Sequence, residues 1–310
     1  MDFKTKSIFR DSFWYNPTFF LEISRVRCGL SRFVLPQQVF CDVVIRFAEK
    51  IEFLFNRYQH GLISLGTLFR EKETIEKSIK SEISHYTEYV SCKRLGLDVI
   101  PYIYFINRIL KNPKFFPDIF FFVSDRSGIG EIKRIERRAI EGKIDYQRGK
   151  SKIIKLEGKL LGYPRCCIRE FLKGSAETRL ILECVDGGLF KELINSLEKS
   201  EIKPFYAFFT SNFYPCSVDC RRAERIGEIL DDYLDDYSIA FRLRTMVNVF
   251  YNLIVAYKTY KYDEKYKKIL EDFFSKLDKK WFEVFEKSER SITNLTEFTN
   301  AFILRILRRI

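Results

Sequence analysis

Asp118-Ile119-Phe120-Phe121-Phe122-Val123 is the stretch whose reading decides the fold. It is short, apolar and aromatic. Pro117 bounds it on one side and Ser124-Asp125-Arg126-Ser127-Gly128-Ile129-Gly130 on the other. A continuous apolar run of that length between turn signals reads as a buried strand. Most of what flanks it reads as helix. From Pro36 to about Tyr58, Val39, Val43, Phe47, Ile51 and Phe55 recur every four residues and stack on one face. Glu71 to Glu88 is strongly charged, with Ile75, Ile79 and Ile83 at the same spacing, and predicts an amphipathic helix with a solvated face. After the strand, Ile129, Ile132, Ile135 and Ala139 form a helical stripe. Ile153, Leu156 and Leu160 form another from Lys150 to Leu161, which Gly162 stops. Arg221 to Tyr237 is helical, and so is nearly everything from Arg242 onward, with stripes at Phe250, Leu253, Ile254 and Tyr257 and at Ile269, Phe273 and Leu277. Phe205 to Thr210 is a second strand candidate, and Asp2 to Arg32 reads as aromatic and irregular. The expected class is α+β, predominantly helical with a small central β-sheet. Three regions are expected: helical 1–115, a cysteine-bearing α+β region 116–240 and helical 241–310, able to pack as one domain.

At 310 residues and 46% hydrophobic, the chain can bury a sizeable core. Its net charge of +12 favours acidic partners such as nucleic acid or an anionic membrane, and a plain solvated basic surface accounts for it equally well. Only His60 and His85 occur, which argues against a histidine-based metal or acid–base centre. No run approaches the roughly 18 apolar residues of a membrane span, so no transmembrane segment is expected. The N-terminus has no clean apolar core of the secretory kind, and a cytoplasmic location is expected. There, clustered cysteines are more often metal ligands or catalytic thiols than disulfides.

Four of the eight cysteines fall in two short blocks. The first is Gly162-Tyr163-Pro164-Arg165-Cys166-Cys167-Ile168-Arg169-Glu170-Phe171. The second is Phe213-Tyr214-Pro215-Cys216-Ser217-Val218-Asp219-Cys220-Arg221-Arg222-Ala223. Proline is favoured at the start of a helix, so each block reads as a loop turning into one. Thiols at a helix N-terminus feel its positive end, which favours the thiolate that binds metal or attacks electrophiles. If both blocks start helices, Cys216 and Cys220 share a face. Cys166 and Cys167 both reach one site only at an irregular helix start. A metal centre of three or four thiolates, iron–sulfur or zinc, is the leading reading. The adjacent Cys-Cys pair departs from zinc-knuckle spacing and tips the balance slightly toward iron–sulfur. A redox dithiol, a disulfide staple and four unrelated core cysteines stay open. Arg165, Arg169, Arg221 and Arg222 are candidates for offsetting thiolate charge or contacting an anionic substrate, with a plain solvated role as the alternative, and Asp219 is a candidate for its helix N-terminus or for acid–base work. Cys28, Cys41, Cys92 and Cys184 have no partner spacing and read as core, although Cys184 lies between the blocks.

At these two blocks the sequence resembles an uncharacterised archaeal family, domain of unknown function 483. Its members carry Gly-Tyr-Pro-x-Cys-Cys with a Phe four residues on, here Gly162 to Phe171, and Pro-Cys-x-x-x-Cys, here Pro215 to Cys220. The resemblance covers about Gly149 to Gly227. It implies an archaeal source and a shared cysteine site, and it brings no activity.

Between Glu131 and Lys159 lie ten basic residues against five acidic ones. Arg134, Arg137 and Arg138 fall on the outer helix face, where RNA or another anionic partner could be met. A solvated helix face is the competing reading. The strand, glycine-bearing loop and helix around Gly128-Ile129-Gly130 resemble a phosphate cradle. The loop lacks both the third glycine of a dinucleotide site and the Gly-Lys-Ser/Thr of a P-loop, so an ordinary turn is the better reading. Whether the protein is an enzyme is left open: a metal-thiolate enzyme and a partner-binding protein with structural zinc both fit. Substrate, reaction and oligomeric state are not written in these residues.

Overall fold

The computed structural model describes residues 1–35, 39–105, 118–124, 129–174, 176–186, 188–199, 202–210, 213–260, 263–264, 267–268, 271, 275 and 295–308. The expected turn residues Asp125 to Gly128 and the stripe at Ile269, Phe273 and Leu277 lie outside them. The chain is a predominantly helical α+β protein with one small antiparallel sheet. It divides into two units. One holds Met1, residues 14–24 and 163–310, the other residues 2–13 and 25–162. No described helix is long and apolar enough to cross a membrane.

The second unit contains the sheet. Its strands are β1 (Phe33–Val34), β2 (Asp98–Tyr104) and β3 (Asp118–Ser124), in the order β1-β3-β2. The aromatic run is therefore the central strand. It pairs antiparallel with β2 from Asp98↔Ser124 to Tyr104↔Asp118, and with β1 at Val34↔Val123. Phe121, Phe122 and Val123 are all buried, which is why the run shows no alternation. Around the sheet lie α1 (Phe3–Ser12), α3 (Cys41–Gln59), α4 (Leu65–Ile83), α5 (Thr87–Arg94), α6 (Gly130–Ile140) and α7 (Tyr146–Leu160). In α3 the expected stripe is realised: Val43, Phe47, Ile51 and Phe55 are buried.

β2 escapes a sequence reading because Pro101 interrupts it. As an edge strand it turns alternate amides outward, and Pro101 sits where no amide is needed. The next two outward amides meet carboxylates. Ile103 N–H donates to Glu76 Oε1 at 2.9 Å, and Phe105 N–H to Glu136 Oε1 at 2.7 Å. Glu76, on α4, and Glu136, on α6, are buried for this purpose. Lys72 Nζ lies 3.0 Å from Glu76 and 3.7 Å over the Tyr102 ring, and the Tyr102 hydroxyl donates to Glu136. The Tyr104 hydroxyl likewise donates to Glu157 on α7. The charged helix expected at Glu71–Glu88 thus points two of its charges inward, and it ends at Ile83.

The N-terminal stretch is helical, which corrects the expectation of an irregular segment. Asp2 caps α1, its side chain accepting from Thr5 N–H at 2.8 Å. Asn16 accepts from Phe19 N–H at the start of α2 (Pro17–Arg27), which places Pro17 at its favoured first position.

The first unit is built on α12 (Ser238–Tyr260), with α8 (Arg165–Phe171), α9 (Ala176–Asp186), α10 (Leu189–Glu198), α11 (Arg221–Leu234) and α13 (Leu295–Leu307). The strand expected at Phe205–Thr210 is not formed. Tyr206–Phe208 is a 3₁₀ turn whose backbone bonds go to α12 side chains. Phe205 N–H donates to Thr245 Oγ1 at 3.2 Å, and Asn248 Nδ2 donates to the Phe208 carbonyl at 2.8 Å. Glu22 accepts from both Thr210 and Arg244, all three buried. Thr245 and Asn248, on neighbouring turns of α12, supply bonds that a neighbouring strand would have supplied. α11 lies against the same segment through Gly227, where a Cβ would stand 2.2 Å from the Tyr206 carbonyl oxygen.

Candidate metal centre

α7 ends at Leu160, and just beyond its cap the Gly162 backbone is left-handed at φ +75°. A Cβ there would stand 2.0 Å from the Leu30 carbonyl oxygen, so glycine is required. The chain then enters the first cysteine block. Tyr163 packs its ring 4.8 Å from that of Phe213, and Phe213 stacks at 4.4 Å on Phe209. These contacts join the starts of the two blocks, and Tyr163 is a packing residue.

Pro164 is the N-cap of α8, and Cys166 and Cys167 are its second and third residues. In a first turn no preceding turn blocks the side chain, so neighbours can converge. Their sulfurs lie 3.9 Å apart. The second block differs from expectation. Residues 216–219 form a turn, and α11 starts only at Arg221, with Cys220 as its extended N-cap. The Cys220 carbonyl accepts from Ala223 and Glu224 N–H at 2.9 Å, which uses it as a helix cap. Cys216 and Cys220 therefore meet by wrapping around a turn and not by sharing a helix face. Their sulfurs are 3.5 Å apart.

The structure brings all four cysteines together. Cys220 Sγ lies 3.9 Å from Cys166 Sγ and 3.8 Å from Cys167 Sγ, and all four sulfurs fall within 4.8 Å of one another. Cys167 and Cys220 are buried, while Cys166 and Cys216 are half-buried and face the open side. The Cys216 amide donates to Cys167 Sγ at 3.3 Å, a bond that favours a thiolate. As bare thiols the sulfurs differ. Burial pushes Cys216 up to about 12 and Cys167 higher still, and neighbouring sulfurs add to both. Burial also opposes ionisation of Cys166, but hydrogen bonds from Cys216, Cys167 and Cys220 outweigh it and hold that thiol below its ordinary value. Four ionised sulfurs this close need a cation among them, which inverts this order.

α9 braces the cluster, and its role is absent from the sequence reading. The Arg179 guanidinium donates to the Cys216 carbonyl and lies 2.8 Å from Glu170 of α8 and 3.4 Å from Glu183. Glu183 in turn accepts from Val218 N–H at 3.1 Å. Arg179 and Glu183 are four apart on a helix between the blocks, the one signal that sequence could have offered. Arg169, Asp219, Arg221 and Arg222 are exposed, each within two residues of a cluster cysteine. Cys184 and Cys92 are buried away from the cluster. Cys28 is only half-buried, contrary to a core role, and its thiol donates to the Arg25 carbonyl at 3.5 Å. The Cys41 side chain lies outside the described residues.

On α6, Arg134, Arg137 and Arg138 are exposed as expected. Arg134 lies 3.5 Å from Glu131 and Arg137 2.9 Å from Glu141.

Fold and site define a helical α+β protein with a four-cysteine cluster within metal-binding distance. The family model described as "Protein of unknown function (DUF483)" matches residues 103–248, so this region, with both cysteine blocks, is a DUF483 region. A curated relative, "Uncharacterized protein MJ1106" of Methanocaldococcus jannaschii, is 36% identical over 73 residues. That match covers 23% of this chain and 36% of the relative's length. No solved structure matches.

Proposed function

We propose that Cys166, Cys167, Cys216 and Cys220 hold one divalent metal ion as a closed tetrathiolate centre of the zinc type. The observation that carries this is the set of sulfur separations: four of the six are 3.5 to 3.9 Å, and all lie within 4.8 Å. Zinc–sulfur bonds of about 2.3 Å in a tetrahedron put sulfurs about 3.8 Å apart. In an iron–sulfur cube each cysteine binds a different iron, which spreads the sulfurs further, so the lean toward iron–sulfur drawn from the Cys-Cys pair is reversed here. Four protein ligands leave no position for water or substrate, which supports a structural role over a catalytic one. The ion would fix the 216–220 turn and the start of α11 onto α8, while Arg179 and Glu183 orient that turn from outside the ligand set.

Metal analysis of protein purified anaerobically tests this. One zinc per chain is expected, with no visible absorption. Cobalt substituted into the site should give the intense visible bands of a tetrahedral thiolate site. Cys216→Ser and Cys220→Ser should each lower metal content and melting temperature together. Iron with acid-labile sulfide would replace the zinc reading with iron–sulfur. Protein with neither metal, its four thiols freely alkylated, would overturn both.

A further inference from the structure

We infer that the rim of the cysteine cluster is a binding surface for the phosphate backbone of single-stranded nucleic acid, with Arg165, Arg169, Arg221 and Arg222 as its contacts. All four side chains are exposed. The surface rests on the metal centre proposed above only in so far as that centre holds the two blocks together. Arg165 and Arg169 are one turn apart on α8, and Arg221 and Arg222 open α11. Arg165 adjoins Cys166, Arg221 adjoins Cys220, and those two sulfurs are 3.9 Å apart. The backbone at Arg165 and Arg221 is therefore separated by at most about 17 Å, a span that a short oligonucleotide covers.

Several exposed basic residues are tied up by acids: Arg134 has Glu131, Arg137 has Glu141, Lys173 has Glu170 and Arg225 has Glu228. None of the four rim arginines forms an ion pair or side-chain hydrogen bond among the described residues. A divalent ion with four thiolates carries two negative charges. The four guanidinium groups outnumber those two charges, and the exposed acids beside them are Asp219 and Glu224. Arg221 and Arg222 also occupy the first turn of α11, where positive charge opposes the helix dipole and weakens the helix. Four unpaired, closely spaced forks, two of them in an unfavourable place, fit a repeating anion, and guanidinium is the group best matched to phosphate.

The test uses the full metal-loaded protein and a fluorescein-labelled single-stranded RNA, with DNA of the same sequence in parallel, read by anisotropy across salt. Binding should weaken steeply with salt. The quadruple variant R165Q/R169Q/R221Q/R222Q should lose at least tenfold in affinity at low salt and flatten the log–log salt slope by about 3, as four lost phosphate contacts on a single strand require. The α6 variant R134Q/R137Q/R138Q should stay within twofold. Metal content is measured on every sample, so loss of the centre and loss of the arginines are told apart. Should the quadruple variant not fold, arginine-specific dicarbonyl modification of the wild-type protein replaces it, and the oligonucleotide should protect these four sites from it. Wild-type protein that binds neither nucleic acid, a metal-loaded quadruple variant within twofold of wild type, absent protection, or polyglutamate bound as tightly as RNA would each overturn the inference. Equal binding of RNA and DNA supports backbone recognition.

Discussion

Gly227 shows how a single atom sets packing in this protein. A methyl group there would meet the Tyr206 carbonyl oxygen at 2.2 Å, and neither backbone has a flexible end to move. Gly227→Ala should therefore destabilise the chain by about 1–3 kcal/mol, read as a lower denaturant midpoint. Gly66 in α4 is the control. The nearest atom to its added Cβ is Ser64 Oγ at 3.8 Å, so Gly66→Ala should stabilise by roughly 0.5–1 kcal/mol. Arg179 gives a second test at this scale. Its fork reaches the Cys216 carbonyl and Glu170 at once, which a lysine cannot do. Arg179→Lys should weaken metal affinity about tenfold, the lower end for a residue that positions ligands, as measured by chelator competition. The cysteines themselves were legible, because the types and spacing of ligands survive in one dimension. Arg179 was not, because its role exists only once two distant loops meet.

At the scale of elements, helices with an apolar stripe were legible, and α3 is the plain case. β3 was legible because a central strand is apolar throughout. The misses share one cause: a backbone satisfied by remote side chains. β2 hides behind Pro101 and relies on Glu76 and Glu136. The Phe205–Thr210 segment looks like a strand until Thr245 and Asn248 take its hydrogen bonds. Cys216 was expected on a helix, but the helix begins at Arg221 with Cys220 as its cap, and Cys216 lies on the turn before it. Between β2 and α7 the structure makes a pH prediction. Burial raises Glu157 to about 7, nearby Glu136 adds to this, and the bond from Tyr104 only partly offsets it. The folded state then holds this proton more tightly than the unfolded chain does. The resulting stability is full below about pH 4.5 and is lost as pH rises to about 7. Glu157→Gln keeps an acceptor for Tyr104 and removes the titration. Relative to wild type, its unfolding free energy should climb between pH 5 and 7.5 and level off above. A constant difference across that range would show that Glu157 ionises normally.

For the whole molecule, Cys167 and Cys216 are separated by 48 residues of sequence, and the two cysteine blocks lie in the same unit. A metal ion between them closes that long loop, and loop closure should make the unit's stability depend on metal. Trypsin can report this, because Arg165, Arg169, Arg221 and Arg222 are cleavage sites held in or beside short helices. Metal-loaded protein should resist cutting there, and prior chelation should open these four sites first, as followed by mass spectrometry. Cutting that begins elsewhere and ignores the chelator would show that the ion does not hold this unit together. On the other unit, the outer side of β2 has a different consequence. An open strand edge is where a second chain adds itself and where fibrils begin to grow. Here proline withholds one amide and buried glutamates already occupy the next two. A recruited strand would have to evict two carboxylates before its first bond, so this sheet is closed to extension at that edge.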